Sequence, residues 1–386
     1  MKIGPCLDRR ANSPAPLPDP PPHSFAWQAS RALALPLVLA LAMLVASCSK
    51  KGTESPGMPP RSYVMGFAAG GPGNDFNVAL QAIQMWNTRS DAAMFFSEPP
   101  WDSLLAGTRP DSLVMRNQLA LANYYHGNGK KLLVLIDPEN GLKRDSDSQQ
   151  LINAGRSITE PAIRQLFYQY AVAMDTILKP DYFGASAETN LIRSLAPTSL
   201  YQALVTIADT CTQKVRAMDP TVQLFSTVQV DWAWGRLGNG GTYQGVAQDR
   251  ADFPFMQFLG LSSYPYFAYA LPESIPSDYY SRLVQGSPTP EMFIEGGWTS
   301  VSLPANGIVS SPDIQRRYFN RQIELLDQAH AIGWLTLMFT DLDVSAIVLP
   351  PGYDLTPFAY LGLVDKNLSP KPALNSWDAT FARPRR

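Results

Sequence analysis

Cysteine and histidine are scarce, with three of each in 386 residues. Cys6 and Cys48 fall in an N-terminal leader, which leaves Cys211 alone in the body of the chain. A single thiol excludes a disulfide framework. One thiol and two widely spaced imidazoles, His126 and His330, do not make a zinc cluster. Cys211 lies in a helical pattern and reads as a buried apolar filler. His126, in "YYHGNG", reads as a cap near a helix C-terminus and not as a catalyst. Basic residues form no run and the formal net charge is −2, so nucleic acid is not an expected partner. A phosphate-binding loop is also missing, because "FAAGGPGND" (67–75) matches neither the dinucleotide fingerprint nor the P-loop. No cofactor or metal is expected. The acidic stretches "DPEN" (137–140) and "FTDLD" (339–343) leave a divalent cation as the alternative.

What the chain does contain begins with one long apolar run, "RALALPLVLALAMLVASC" (31–48). It closes on small residues and is too short for a good membrane span, so it reads as a secretory signal peptide. Its ending, Val45-Ala46-Ser47-Cys48, resembles a bacterial lipobox, which makes Cys48 the expected lipidated residue. Several acyl chains on one cysteine would anchor stably where one chain would not. The competing reading is an ordinary signal peptide with an incidental cysteine. Ser49 after the cysteine favours the outer membrane over retention at the inner one. The expected boundaries are a signal peptide with a long n-region over 1–47, a lipidated cysteine and flexible tether over 48–61, and a folded domain over 62–386. A monomer at the cell envelope is the expected state.

Hydrophobic residues make up 45% of the chain, ample for a barrel-sized core. Short apolar runs recur at 63–68, 92–96, 131–137, 181–187, 222–228, 258–264, 292–295 and 334–340. They are continuously apolar or small and do not alternate, as strands covered on both faces do. Helical patterns separate most of them. In "TEPAIRQLFYQYAVAMDTILKP" (159–180), Ile163, Leu166, Phe167, Tyr170, Met174 and Ile177 form one stripe. Ser311 reads as an N-cap with Pro312 at the first helical position, and Gly333 as the stop. Segments 111–128 and 199–217 are also expected to be helical, while 229–257 and the link before 292 are rich in loop. Eight strands with such connections predict a (β/α)8 barrel; a doubly wound sheet is the rival.

Barrel enzymes place their chemistry at the C-terminal ends of strands. Those ends carry Phe67, Ser97-Glu98, Asp137, Glu188, Gln229 to Asp231, Tyr264, Glu295 and Thr340-Asp341. "YFGASAETN" (182–190) delivers Glu188 and "MFIEGGW" (292–298) delivers Glu295, two acids presented alike on one rim. Two carboxyl groups about 5–5.5 Å apart suit retaining glycoside hydrolysis, one donating a proton and one attacking the anomeric carbon. Burial and mutual repulsion separate their pKa values.

At these residues the chain resembles the clan A (β/α)8 retaining glycosidases, which carry the acid/base on strand four and the nucleophile on strand seven. "IEGGW" is similar to their strand-seven pattern, "LGLSSYPYF" (259–267) to the strand-six segment that brings a tyrosine to the nucleophile, and "LKPDYFGASAETN" (178–190) to the approach to the acid/base. The wording is closest to endo-β-1,4-galactanases and β-mannanases. The resemblance implies Glu295 as nucleophile, Glu188 as acid/base, Tyr264 as the partner of Glu295, and a β-linked polysaccharide or oligosaccharide as the carbohydrate substrate. One departure stands out: the asparagine usual before the acid/base is Ala187 here, with Ser186 or Asn190 as substitutes if anything replaces it. Trp101, Trp232, Trp234 and Trp298 lie just past strand ends, where rings either stack on sugars or merely cap the barrel. The loop "VDWAWGRLGNGG" (230–241) reads as facing substrate. Glu98 either contacts a sugar hydroxyl or anchors a loop. A degenerate barrel that binds glycan without turnover, or serves as a structural surface lipoprotein, is the competing function.

Overall fold

The computed structural model describes residues 59–386, apart from Ala69, Asn239, Val348 and 350–352. The expected leader, the lipidation site Cys48 and the tether as far as residue 58 lie outside the described residues. Arg61, assigned to the tether, belongs to the folded body. Its buried guanidinium pairs with Asp91, and its backbone bridges Arg385.

Eight parallel strands close into a barrel in chain order. They are β1 (Val64–Ala68), β2 (Ala92–Ser97), β3 (Lys131–Ile136), β4 (Tyr182–Gly184), β5 (Gln223–Gln229), β6 (Phe258–Ser263), β7 (Glu291–Gly296) and β8 (Gly333–Thr336). β8 pairs with β1, with Val64 opposite Gly333, and this closure excludes the doubly wound sheet. Each strand coincides with one apolar run. The alternation of side chains explains why the runs are apolar throughout: Met65 and Phe67 join the core under the helices, while Val64 and Ala68 join a separate cluster with Met94, Leu135, Phe225 and Ile294.

The helices follow local chemistry. Helix Pro161–Leu178 buries Ile163, Phe167, Tyr170 and Met174 of the expected stripe, leaving Leu166 and Ile177 at its edges. Helix Pro312–Ala329 starts where Ser311 accepts from the Ile314 N–H. It ends at left-handed His330, before the glycine expected to stop it. The helix expected over 111–128 is two, Pro110–Asn117 and Leu119–Gly127, joined at Gln118. His126 does cap a helix, though not its own: its Nε2 lies 2.8 Å from the Leu178 carbonyl at the end of the neighbouring helix. Cys211 is free and fully buried.

β7 carries the irregularity that shapes the site. Leu261 pairs with Phe293 but Ser262 pairs with Glu295, so Ile294 is an extra residue, a β-bulge. Met292 and Ile294 both belong to the inner cluster, so strict alternation would turn Glu295 outward. The bulge resets the alternation and aims Glu295 into the barrel mouth. The glycine that follows has a steric reason. Gly296 has φ 130°, and a Cβ there would lie 1.8 Å from the Ser263 carbonyl oxygen.

Candidate active site

A cavity of about 410 Å³ opens at the C-terminal ends of the strands, and Glu188 and Glu295 both line it. Glu188 stands four residues beyond the end of β4, in a left-handed conformation (φ 46°, ψ 47°) uncommon for a side-chain-bearing residue. Its N–H donates to Thr227 Oγ1 at 2.8 Å, which holds the turn against β5. Ser262 Oγ donates to Glu188 Oε1 at 2.7 Å, and Arg144 Nε donates to Oε2 at 2.8 Å. Ser262 is also the register partner of Glu295 on β7, so β6 lies beside both acids.

Glu295 accepts from the Tyr264 hydroxyl at 2.5 Å through Oε1, while Oε2 has no hydrogen-bond partner. Burial and the neighbouring charge of Glu188 push its carboxyl up to about 8, against the Tyr264 hydrogen bond and Arg144. Tyr264 is itself set by Asp231, which accepts from its N–H at 2.9 Å and from the Tyr279 hydroxyl. The buried Arg144 guanidinium also pairs with Asp137. Burial works against its charge, but Asp137 and Glu188 hold it firmly cationic.

Several expected site residues are elsewhere. Trp298 is buried beside Tyr318, with its indole N–H donating to Ser310 Oγ at 3.1 Å. Trp101 is buried against Phe167. Trp234 stacks on Tyr279 and donates to its carbonyl at 2.8 Å. Trp232 is half-buried and donates to Ser194 Oγ at 3.1 Å. None of the four lines the cavity, and the loop that carries two of them contributes Leu237 instead. These rings cap and brace the barrel, because a position after a strand end does not determine whether a ring points to the mouth or under the next loop.

Asn190 is also structural: its side chain donates to the Gln229 carbonyl and accepts from the Gln229 N–H. Ser186 bonds Ser226 Oγ at 2.8 Å. Neither lines the cavity, and the position before Glu188 is a buried methyl group. Glu98 lines the cavity and also anchors the loop after β3, accepting from Ser148 Oγ at 2.8 Å and from the Gly141 N–H at 3.3 Å. Burial and the charge of Asp137 push its carboxyl up to about 7.

The stretches weighed for a cation are already occupied by cations of the chain. Asp137 pairs with Arg144 and Asp341 with Lys371. Arg144 and Ser262 escaped sequence reasoning. Ser262 lay inside a recognised strand without a distinguishing neighbour, and Arg144 sits in a polar loop that looks like any solvated turn.

Among solved structures, the chain superposes on an exo-β-1,4-mannosidase from Opitutaceae bacterium strain TAV5, with a TM-score of 0.62 and 17% identity, covering 84% of this chain and 60% of that one. It also superposes on the GH53 catalytic domain of Ignisphaera aggregans (TM-score 0.59, 14% identity, 85% and 98% coverage). A third match is the Ruminococcus gnavus β-glucuronidase in complex with uronic isofagomine (TM-score 0.55, 12% identity, 83% and 51% coverage). The fold is shared with these glycosidases. The chain spans 60% of the mannosidase and 51% of the glucuronidase, and at these identities the likeness concerns the fold. No family model and no curated protein matches the sequence.

Proposed function

We propose that this chain is a retaining glycoside hydrolase acting on a β-linked saccharide by double displacement, with Glu295 as nucleophile and Glu188 as acid/base. The observation that carries this reading is two buried carboxyl groups on one cavity, Ser262 donating to Glu188 and Tyr264 to Glu295. Glu295 Oε2, left without a hydrogen bond, supplies the lone pair for attack on the anomeric carbon. Tyr264 favours the ionised form of that carboxyl, and the charge of Glu188 opposes it, so the pair retains one proton near neutrality. For catalysis that proton must sit on Glu188. An arginine N–H cannot accept a hydrogen bond but a serine hydroxyl can, so, with Arg144 on Oε2, the proton belongs on Oε1, beside Ser262. The same group then takes a proton from the water that resolves the glycosyl-enzyme. At the envelope, the protein would be held by lipid on Cys48.

Two features favour a second reading, a glycan-binding barrel without turnover: Ala187 where clan members hold the sugar 2-hydroxyl, and Arg144 on the carboxyl that must give the proton. Hydrolysis of a panel of 4-nitrophenyl β-D-glycosides decides between them. Wild type should cleave at least one with the β-anomer as first product, and Glu295→Gln should abolish that cleavage. Undiminished cleavage by the variant removes Glu295 from the chemistry.

A further inference from the structure

The cavity is divided by origin. Its charged groups, Glu98, Asp137, Arg144 and Glu188, come from the ends of β2 to β4, with Glu295 from β7. The segment after β8 contributes a mostly apolar lining, with Leu337, Leu342, Leu349 and Leu355 beside the rings of Tyr353 and Phe358. Among the described residues no tryptophan lines it, and its rings are those of Phe96, Tyr264, Phe267, Tyr353 and Phe358. Three of the cavity's amides already bond within the chain. Asn140 donates to the Tyr353 hydroxyl and accepts from two backbone N–H groups. Gln150 accepts from the Asp102 N–H, and Gln229 bonds Trp232 and Asp231. A volume of about 410 Å³ suits one small ligand better than a length of polymer. The charge also selects, because the cavity has four carboxyl groups against one guanidinium, and that guanidinium already faces two of them.

From this geometry, and resting on the cavity being a glycoside site, we infer that the substrate is an uncharged glycoside with an apolar aglycone, an alkyl, isoprenoid or similar chain, and that uronides are rejected. The sugar sits over the carboxyl pair and the aglycone lies along Leu337, Leu342 and Leu355. The bond broken is the one between the sugar and that chain, with water supplying the hydroxyl to the sugar and the proton to the released alcohol.

The test is binding, measured by calorimetry below micelle-forming concentrations, of butyl and octyl 1-thio-β-D-glucosides, galactosides and mannosides. These bind without being cleaved. Each buried methylene is worth about fourfold in affinity, so octyl, with four more, should bind about 250-fold tighter than butyl for the matching sugar. Octyl 1-thio-β-D-glucuronide should bind at least about tenfold more weakly than its neutral counterpart, given one unneutralised charge facing like charges. Leu342→Asn and Leu355→Asn, both at half-buried positions, should flatten the chain-length series while keeping the wild-type melting temperature. A flat series in wild type, no binding to any of the three sugars, or equal affinity for the uronide overturns the inference. Chain-length-dependent binding without hydrolysis of the corresponding O-glycosides would defeat the glycosidase reading alone, and hydrolysis indifferent to chain length would defeat this inference alone.

Discussion

The contact between Tyr264 and Glu295 allows a worked prediction. The hydroxyl donates at 2.5 Å to a fully buried carboxyl whose other oxygen has no partner. A hydrogen bond to a charged group is worth about 1.5–3 kcal/mol. In Tyr264→Phe that stabilisation of the ionised form disappears, and at 1.36 kcal/mol per pH unit the carboxyl rises by about 1–2 units from its position near 8. Two consequences follow, with opposite appearance. In the singly protonated pair, the proton shifts from Glu188 towards Glu295, so kcat/KM on the optimum falls by about 10- to 150-fold. The alkaline limb, where the pair loses its last proton, moves up by as much as 1–2 units. The assay is kcat/KM against pH on the best 4-nitrophenyl glycoside, with thermal melting as a control. A tyrosine that merely packs would alter the melting temperature and leave the limb where it was. That result, or an unchanged kcat/KM, refutes the argument.

Three further outcomes are expected. Glu291, at the opposite end of β7, is buried with both carboxyl oxygens unpartnered, and burial pushes it up to about 8, partly offset by the charge of Arg250. A raised folded-state value favours folding below the unfolded value near 4.5, and the benefit is lost as pH rises to 8. Glu291→Gln should therefore remove roughly 3–5 kcal/mol of the stability lost between pH 4.5 and 8, read by urea unfolding at both pH values. An unchanged difference would mean that the carboxyl is solvated. Arg144→Gln leaves Asp137 and Glu188 without their cation and should cost roughly 3–5 kcal/mol at pH 8, shrinking at lower pH as buried Asp137, whose carboxyl burial already pushes up, takes up a proton; a pH-independent cost would contradict this. Gly296→Ala forces a Cβ into the Ser263 carbonyl and should lower both the melting temperature and activity without changing any charge. Wild-type behaviour of both would show that the bulge does not aim Glu295.

The barrel was legible because a strand buried on both faces shows itself within a few residues, and each of the eight runs did so. The acids were legible for the same reason: Glu188 lies four residues past β4, and Glu295 is the last residue but one of β7, each at the end of an apolar run. The bulge at Ile294 was announced only indirectly, by two glycines after the acid. The tryptophans misled because a ring just past a strand end has the same local sequence whether it faces substrate or, as Trp298 does, packs on Tyr318. Arg144 was out of reach, since its meaning lies in partners 7 and 44 residues away that only the closed barrel brings together.

The central claim is that Glu295 attacks an anomeric carbon while Glu188 serves the leaving group. Incubation with 2-deoxy-2-fluoro-β-D-glycosyl fluorides of the gluco, manno and galacto series, followed by peptide mass spectrometry, tests it most directly. The account predicts a stable glycosyl ester on Glu295 that is lost in Glu295→Gln, whereas a label on another residue, or none with a sugar whose glycosides the protein cleaves, would contradict it.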